Sequence, residues 1–138
     1  MPLAGTQLSY KWALALGYHV GFRGRALTEA VAVMCAESAR YTEAYHDNIN
    51  GDTGEVASTD RGLFQINSVH DGQISAADAF KAIPNAEYAF RLSKGGTDFS
   101  PWAAYNSGAH EKFLLPTRLV KALHTWKLRV AKVPVVLG

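Results

Sequence analysis

Seven consecutive apolar residues, 30–36, run directly into a glutamate, Glu37. The stretch around them, residues 26–38, has the length of a helix, and such a helix would be apolar on every side. It cannot lie on a surface. The rest of the chain has to enclose it, so the sequence predicts a domain wrapped around a central helix with a carboxyl at its C-terminal end. Burial disfavours the charged form of that carboxyl, and the negative end of the helix dipole repels it further. Val33 and Met34, three and four residues earlier, add apolar flanks. The plainer alternative is a surface glutamate at a helix end, the usual place for a charged residue.

With 138 residues the chain is long enough to bury a core as one domain, residues 1–138. Its single cysteine, Cys35, excludes an internal disulfide framework, so stability has to come from packing. At 48% hydrophobic and 19% charged residues, composition points away from a disordered chain and towards a globular one. No apolar run reaches the roughly 20 residues that cross a bilayer, so no membrane insertion is expected. Charge is uneven: residues 1–110 carry 8 Lys and Arg against 11 Asp and Glu, and residues 111–138 carry 6 against 1. The basic end is either a solvated helix face or a surface attracted to an anionic polymer.

Periodicity organises the chain further. Leu8, Trp12, Ala15, Leu16 and His19 recur at helical spacing and predict a first helix over residues 6–19, ending at Gly21-Phe22-Arg23-Gly24. Residues 43–60 are rich in turn formers, and residues 56–59 and 63–67 can pair as two short strands. A short helix over 75–83 follows, then one with Pro84 at its first position that stops at Gly95-Gly96. Ser100-Pro101 reads as the cap and first position of a brief helix ending at Gly108. Pro116 opens a last helix striped by Leu119, Leu123, Trp126 and Val130, and residues 133–138 read as a tail. The fold class is α+β, mainly helical, with a small antiparallel hairpin.

Three segments carry a resemblance. Glu37-Ser38, Gly62-Leu63-Phe64-Gln65-Ile66 and Ala104-Tyr105-Asn106-Ser107-Gly108, in that order, resemble the lysozyme-like superfamily of peptidoglycan-cleaving enzymes. They look like the soluble (SLT-type) lytic transglycosylases and their bacteriophage relatives. The stretch Ser58-Thr59-Asp60-Arg61-Gly62-Leu63-Phe64-Gln65-Ile66-Asn67-Ser68 is also similar to the signature of animal c-type lysozymes, which has an aspartate where Asp60 stands. The resemblance implies a glycan cleft beside the hairpin, with Glu37 as the general acid and Ser38 as a partner holding its carboxyl. Asp60 would stabilise or attack the anomeric carbon, and Tyr105 and Asn106 would border the acid. It also implies a substrate, the glycan strands of peptidoglycan. Residues 12–17 are too short and too weakly basic at their flanks for a signal peptide, so delivery by lysis machinery or on a phage particle is expected.

The chemistry explains why such residues are needed. Breaking a glycosidic bond takes a proton on the departing oxygen while positive charge grows on the sugar ring. A glutamic acid has to stay protonated near neutrality, well above its ordinary pKa of about 4.3. Asp60, otherwise a turn residue, decides the reaction type: lytic transglycosylases typically lack it and close the ring with the substrate's own 6-hydroxyl. The later tyrosine of those enzymes has no counterpart after Tyr105. Gln65 and Asn67 sit two apart on one strand and would present both amides to sugar hydroxyl or N-acetyl groups. Strict alternation would then turn Asp60 to the other face, unless Gly62 introduces a bulge. Trp102, Tyr105 and Asn106 are spaced to form an aromatic wall with a polar tip, though Trp102 also suits a core. Asp47, Asp52 and Asp71 are further acids able to position water.

Other classes fit less well. Cys35, late in a buried helix, reads as an inert core thiol and not a peptidase nucleophile. No His-Glu-x-x-His occurs, and the loop around Asp47 to Glu55 resembles a calcium loop in composition only, so neither metal nor cofactor is expected. A non-catalytic sugar-binding or virion module would not need Glu37. A nucleic-acid binder would need basic residues across the whole domain, so no nucleic acid is expected as partner, and the chain is expected to act as a monomer. The sequence therefore points to a muramidase-like glycosidase cutting between N-acetylmuramic acid and N-acetylglucosamine, with a lytic transglycosylase as the alternative.

Overall fold

The structure, a computed structural model, describes residues 3–115 and 123–138. Helix α1 spans Tyr10–Val20 and α2 spans Gly24–Ser38. An antiparallel sheet follows, with β1 at Tyr45–Ile49, β2 at Val56–Arg61 and β3 at Ile66–Asn67, in the order β1-β2-β3. The chain then returns to helices: α3 at Ala76–Ala79, α4 at Ala82–Leu92, α5 at Ala103–Asn106 and α6 at Leu123–Val136. The mainly helical α+β class is as the sequence predicts, and the hairpin gains a third strand.

The enclosed helix is real. In α2, Leu27, Ala30, Val31, Ala32, Val33, Met34 and Cys35 are all buried. Each Val, Leu or Met side chain so enclosed contributes roughly 1.5–3 kcal/mol of apolar burial. Helix α1 packs on α2, α4 and α6, and Phe22 between α1 and α2 meets Phe64, Phe90 and Phe99 in the core. Cys35 is buried, and loss of water pushes its thiol pKa up, which suits an inert core residue.

Several boundaries differ from the sequence reading. Helix α1 begins at Tyr10 because the Ser9 hydroxyl accepts the Trp12 N–H as an N-cap, which leaves Leu8 buried ahead of the helix and His19 exposed. Ser100 does not cap α5: its N–H goes to the Asp98 side chain in a turn of its own, and the helix starts only after Trp102. Pro84 lies inside the first turn of α4, two residues later than expected, where its missing N–H still costs nothing. Residues 133–136 are helical and not a tail. Pro134 removes one N–H, but Val133 is completely buried and its carbonyl accepts from Leu137. The opening of the last helix at Pro116 and the side chains of Leu119, Leu123 and Trp126 lie outside the described residues; Val130 is half-buried against the core.

The turn between β2 and β3, residues 62–65, is the junction that matters for the site. Gly62 has φ +74 and Gln65 φ +49, both left-handed. A Cβ at Gly62 would collide with the Ala79 carbonyl oxygen and with the Asn85 amide nitrogen. Glycine is therefore required twice over, by conformation and by space. Gly62→Ala is expected to lower stability by about 2–4 kcal/mol, the sum of backbone strain and an overpacked contact. Denaturant unfolding checks this; a loss below about 1 kcal/mol would show that the contact relaxes freely.

Candidate active site

Glu37 stands in the last turn of α2, one residue before its end. Its side chain is half-buried, and its carboxyl pKa is pushed up to about 7. Loss of water is the largest cause; the negative charge of Asp60 raises it further, and a hydrogen bond with the Ala104 backbone pulls the other way. The desolvated acid expected from the sequence is thus found, and the groups that share its cleft, Pro101, Trp102 and Ala103 among them, come from a distant part of the chain. Glu37 and Asp60 line one cleft of about 180 Å³, together with Gln65, Pro101, Trp102 and Ala103. A larger concavity of about 380 Å³ lies elsewhere, lined by residues such as Leu8, Trp12, Phe80 and Leu137, and it has no carboxylate side chain in its lining. Another, of about 220 Å³, has Asp78 and Glu87 in its lining, with Asp78 paired to Lys81 at 3.5 Å. What singles out the smallest of the three is Glu37, whose carboxyl pKa is raised to about 7.

Asp60 is fixed by a network that the sheet register creates. In β2 it lies opposite His46 of β1 and Asn67 of β3, while Ser58 lies opposite Asn48. Residues paired across strands share a face, so Asn48, Ser58, Asp60 and Asn67 all project to one side. The Asn48 amide donates to Asp60 Oδ2 at 3.1 Å and to Ser58 Oγ at 3.0 Å. The Asn67 amide donates to Asp60 Oδ1 at 2.9 Å and to Ser58 Oγ at 3.1 Å. Each carboxylate oxygen thus has its own N–H donor, and Asn67 is locked in place because its Oδ1 accepts the Val69 N–H. The Asn67 amide, read from the sequence as a sugar ligand, gives its N–H groups to Asp60 and Ser58 in this structure.

Gln65 reaches the cleft by a different route from the one expected. It is not in β3, so it does not share a strand face with Asn67, and the problem of alternation disappears because a turn separates Asp60 from Asn67. Its left-handed backbone turns the side chain inward, where Nε2 donates to the Ala44 and Gly62 carbonyls, both at 2.9 Å. Trp102 is buried and part of the core, yet it lines the cleft, and its indole N–H donates to the Phe64 carbonyl at 2.8 Å.

Three other residues of the sequence reading, Ser38, Tyr105 and Asn106, are not among those that line the cleft. Ser38, the last residue of α2, is fully buried; its hydroxyl donates to the Met34 carbonyl and accepts the Arg40 N–H. Tyr105 is wedged between the rings of Phe99 and His110. Asn106 is exposed and donates to the Ser100 carbonyl. What the Ala-Tyr-Asn segment offers Glu37 is the backbone of Ala104. Among the acids, Asp71 pairs with Arg61 at 2.7 Å and Asp47 accepts the Thr59 hydroxyl. Among the described residues no three His, Cys, Asp or Glu side chains converge on a point that could hold a metal ion.

A family model for the lysozyme-like domain matches residues 14–104. The chain belongs to the lysozyme-like domain family. The match contains all six residues that line the cleft, from Glu37 to Ala103. Lysozyme-like domains are glycosidases and transglycosylases of peptidoglycan, so this lysozyme-like domain is of a kind that acts on the cell wall. Nothing among curated proteins or solved structures matches the chain. Among the described residues, no helix of the lysozyme-like domain is long and apolar enough to cross a membrane.

Proposed function

We propose that this lysozyme-like domain is a muramidase that hydrolyses the β-1,4 bond between N-acetylmuramic acid and N-acetylglucosamine in peptidoglycan glycan strands. Glu37 gives its proton to the departing glycosidic oxygen as the bond to the anomeric carbon breaks, and afterwards takes a proton back from water. Asp60, acceptor-only and held by two amides, faces the positive charge that grows on the ring, as a stabilising ion or as the attacking group. Gln65 and Trp102 shape the wall against which the sugar lies.

The observation that carries this reading is the pairing in one cleft of a carboxyl with pKa about 7 and a second carboxylate whose oxygens are both hydrogen-bonded. Such a pair divides the labour of acid and counter-ion, which a sugar-binding module has no need of. Asp60 also favours hydrolysis over transglycosylation, since ring closure by the substrate's own 6-hydroxyl dispenses with a second carboxylate. Mass spectrometry of muropeptides released from purified peptidoglycan tests the proposal. Reducing ends are expected; anhydro-muramic ends would assign the chain to the transglycosylases, and no release at all would leave a binding module.

A further inference from the structure

Asn85 is an asparagine with no exposed surface, placed in α4 away from the cleft. Burying an amide is costly unless each of its groups is paired. Here they are, and all with backbone: Oδ1 accepts the Phe64 N–H at 2.9 Å, and Nδ2 donates to the carbonyls of Arg61 at 3.0 Å and Ala79 at 2.7 Å. The Phe64 carbonyl accepts the Trp102 indole N–H at 2.8 Å. Both backbone polar groups of Phe64, in the two peptide units that flank it, are thus gripped by buried side chains from two other parts of the chain, and not by a strand. Gly62 lacks a Cβ so that Asn85 and Ala79 can come this close.

The gripped segment has functional residues at both ends. Asp60 precedes Arg61, and Gln65 follows Phe64; both line the cleft with Glu37, which arrives separately on α2. The β2–β3 ladder is short, since β3 is only Ile66–Asn67, and on its other side the turn is tied to the Ala44 carbonyl by the Gly62 N–H at 2.7 Å and Gln65 Nε2 at 2.9 Å. We infer that Asn85 and Trp102 form a clamp on the backbone of Phe64, and that this clamp helps to set the position of Asp60 and Gln65 relative to Glu37. Asn85 is a positioning residue in this scheme: it touches neither cleft nor substrate and acts through the turn. The inference rests on the proposed roles of Glu37 and Asp60, but its structural part can be tested without turnover.

Loosening the clamp lets the turn move off α2, admits water and weakens the influence of Asp60 on Glu37. Both changes return the Glu37 carboxyl towards its ordinary range. The test is a carbon-13 NMR titration of the Glu37 carboxyl in the full chain, with Asn85→Ala and Trp102→Phe as variants and steady-state kinetics alongside. In Asn85→Ala the titration midpoint is expected to fall by about one pH unit, and kcat about tenfold or more, with KM changed by less than about threefold. Trp102→Phe keeps an aromatic ring but loses the bond to the Phe64 carbonyl; it should move the midpoint in the same direction. Should Asn85→Ala not fold, Asn85→Ser decides by its titration, because Asn85 is outside the cleft lining, whereas Trp102 lines the cleft beside Glu37. Folded variants whose Glu37 midpoint stays at the parent value overturn the clamp. A parent protein that titrates as described but cuts no glycan would instead remove the enzymatic reading and leave the clamp standing.

Discussion

Replacing Glu37 by glutamine lowers glycan-strand cleavage by about 10²- to 10⁴-fold, the range supplied by a positioned general acid, and leaves the fold intact. Glutamine matches the size of the side chain and keeps an oxygen for the Ala104 contact, but it has no proton to give. In the parent, activity should decline as pH rises through about 7, where the carboxyl loses its proton. Stability follows the same group. Folded, Glu37 keeps its proton up to about pH 7, whereas unfolded it loses it near 4.5. Between those values the folded state binds more protons than the unfolded one, so stability falls as pH rises, and the contribution is full below about 4.5 and lost above about 7. A displacement of this size corresponds to at most about 3 kcal/mol. Water at the half-open side chain reduces it to about 1–2 kcal/mol. Glu37→Gln should therefore be more stable than the parent at pH 8 by that amount and equal to it at pH 4. Denaturant unfolding at the two pH values, with a cleavage assay, checks both halves. Retained turnover would discard Glu37 as the acid.

Asp60→Asn is the second large effect, an expected loss of about 10²- to 10³-fold, the scale of removing one electrostatic stabiliser of a transition state. The substitution is not silent in the ground state. Both oxygens of Asp60 face N–H donors, so the new NH₂ group must meet one of them. Asn67 cannot turn over without losing its bond to Val69, so Asn48 has to rotate or go unpaired, at a cost of about 1–3 kcal/mol. The variant also removes the charge that helps raise the Glu37 pKa, and its alkaline limb should move to lower pH. Kinetics across pH with a parallel stability measurement separates these parts. A loss under about tenfold, once stability is accounted for, would reduce Asp60 to a structural residue.

Much of the site was legible because its logic is local. A run apolar on every side forces a helix into the interior, and the acid that ends it is carried to the edge of that interior, where burial raises its pKa. Ser58, Asp60 and Asn67 fall two and seven residues apart within one short stretch, so their proximity needs only a tight turn. Asn48, twelve residues before Asp60, could not be seen: its part depends on which residues of β1 and β2 stand opposite each other. Gln65 and Asn67 were misread as strand neighbours because alternation assumes a continuous strand, and the left-handed turn at Gly62 and Gln65 ends it. The hydrogen bonds of Ser38 and Asn106 were hidden for another reason. Short polar side chains near helix ends satisfy the nearest backbone group first, and here those groups are the carbonyls of Met34 and Ser100.

By itself the amino-acid order determined the enclosed helix, the helical α+β class and the acid at the helix end, since these follow from hydrophobic pattern and neighbouring residues alone. Only the tertiary structure decided which polar side chains face the cleft and which serve as fasteners. That choice rests on contacts between distant segments, Asn85 and Trp102 on Phe64 and Asn48 on Asp60, whose partners are chosen by packing and register and leave no periodic trace in the chain.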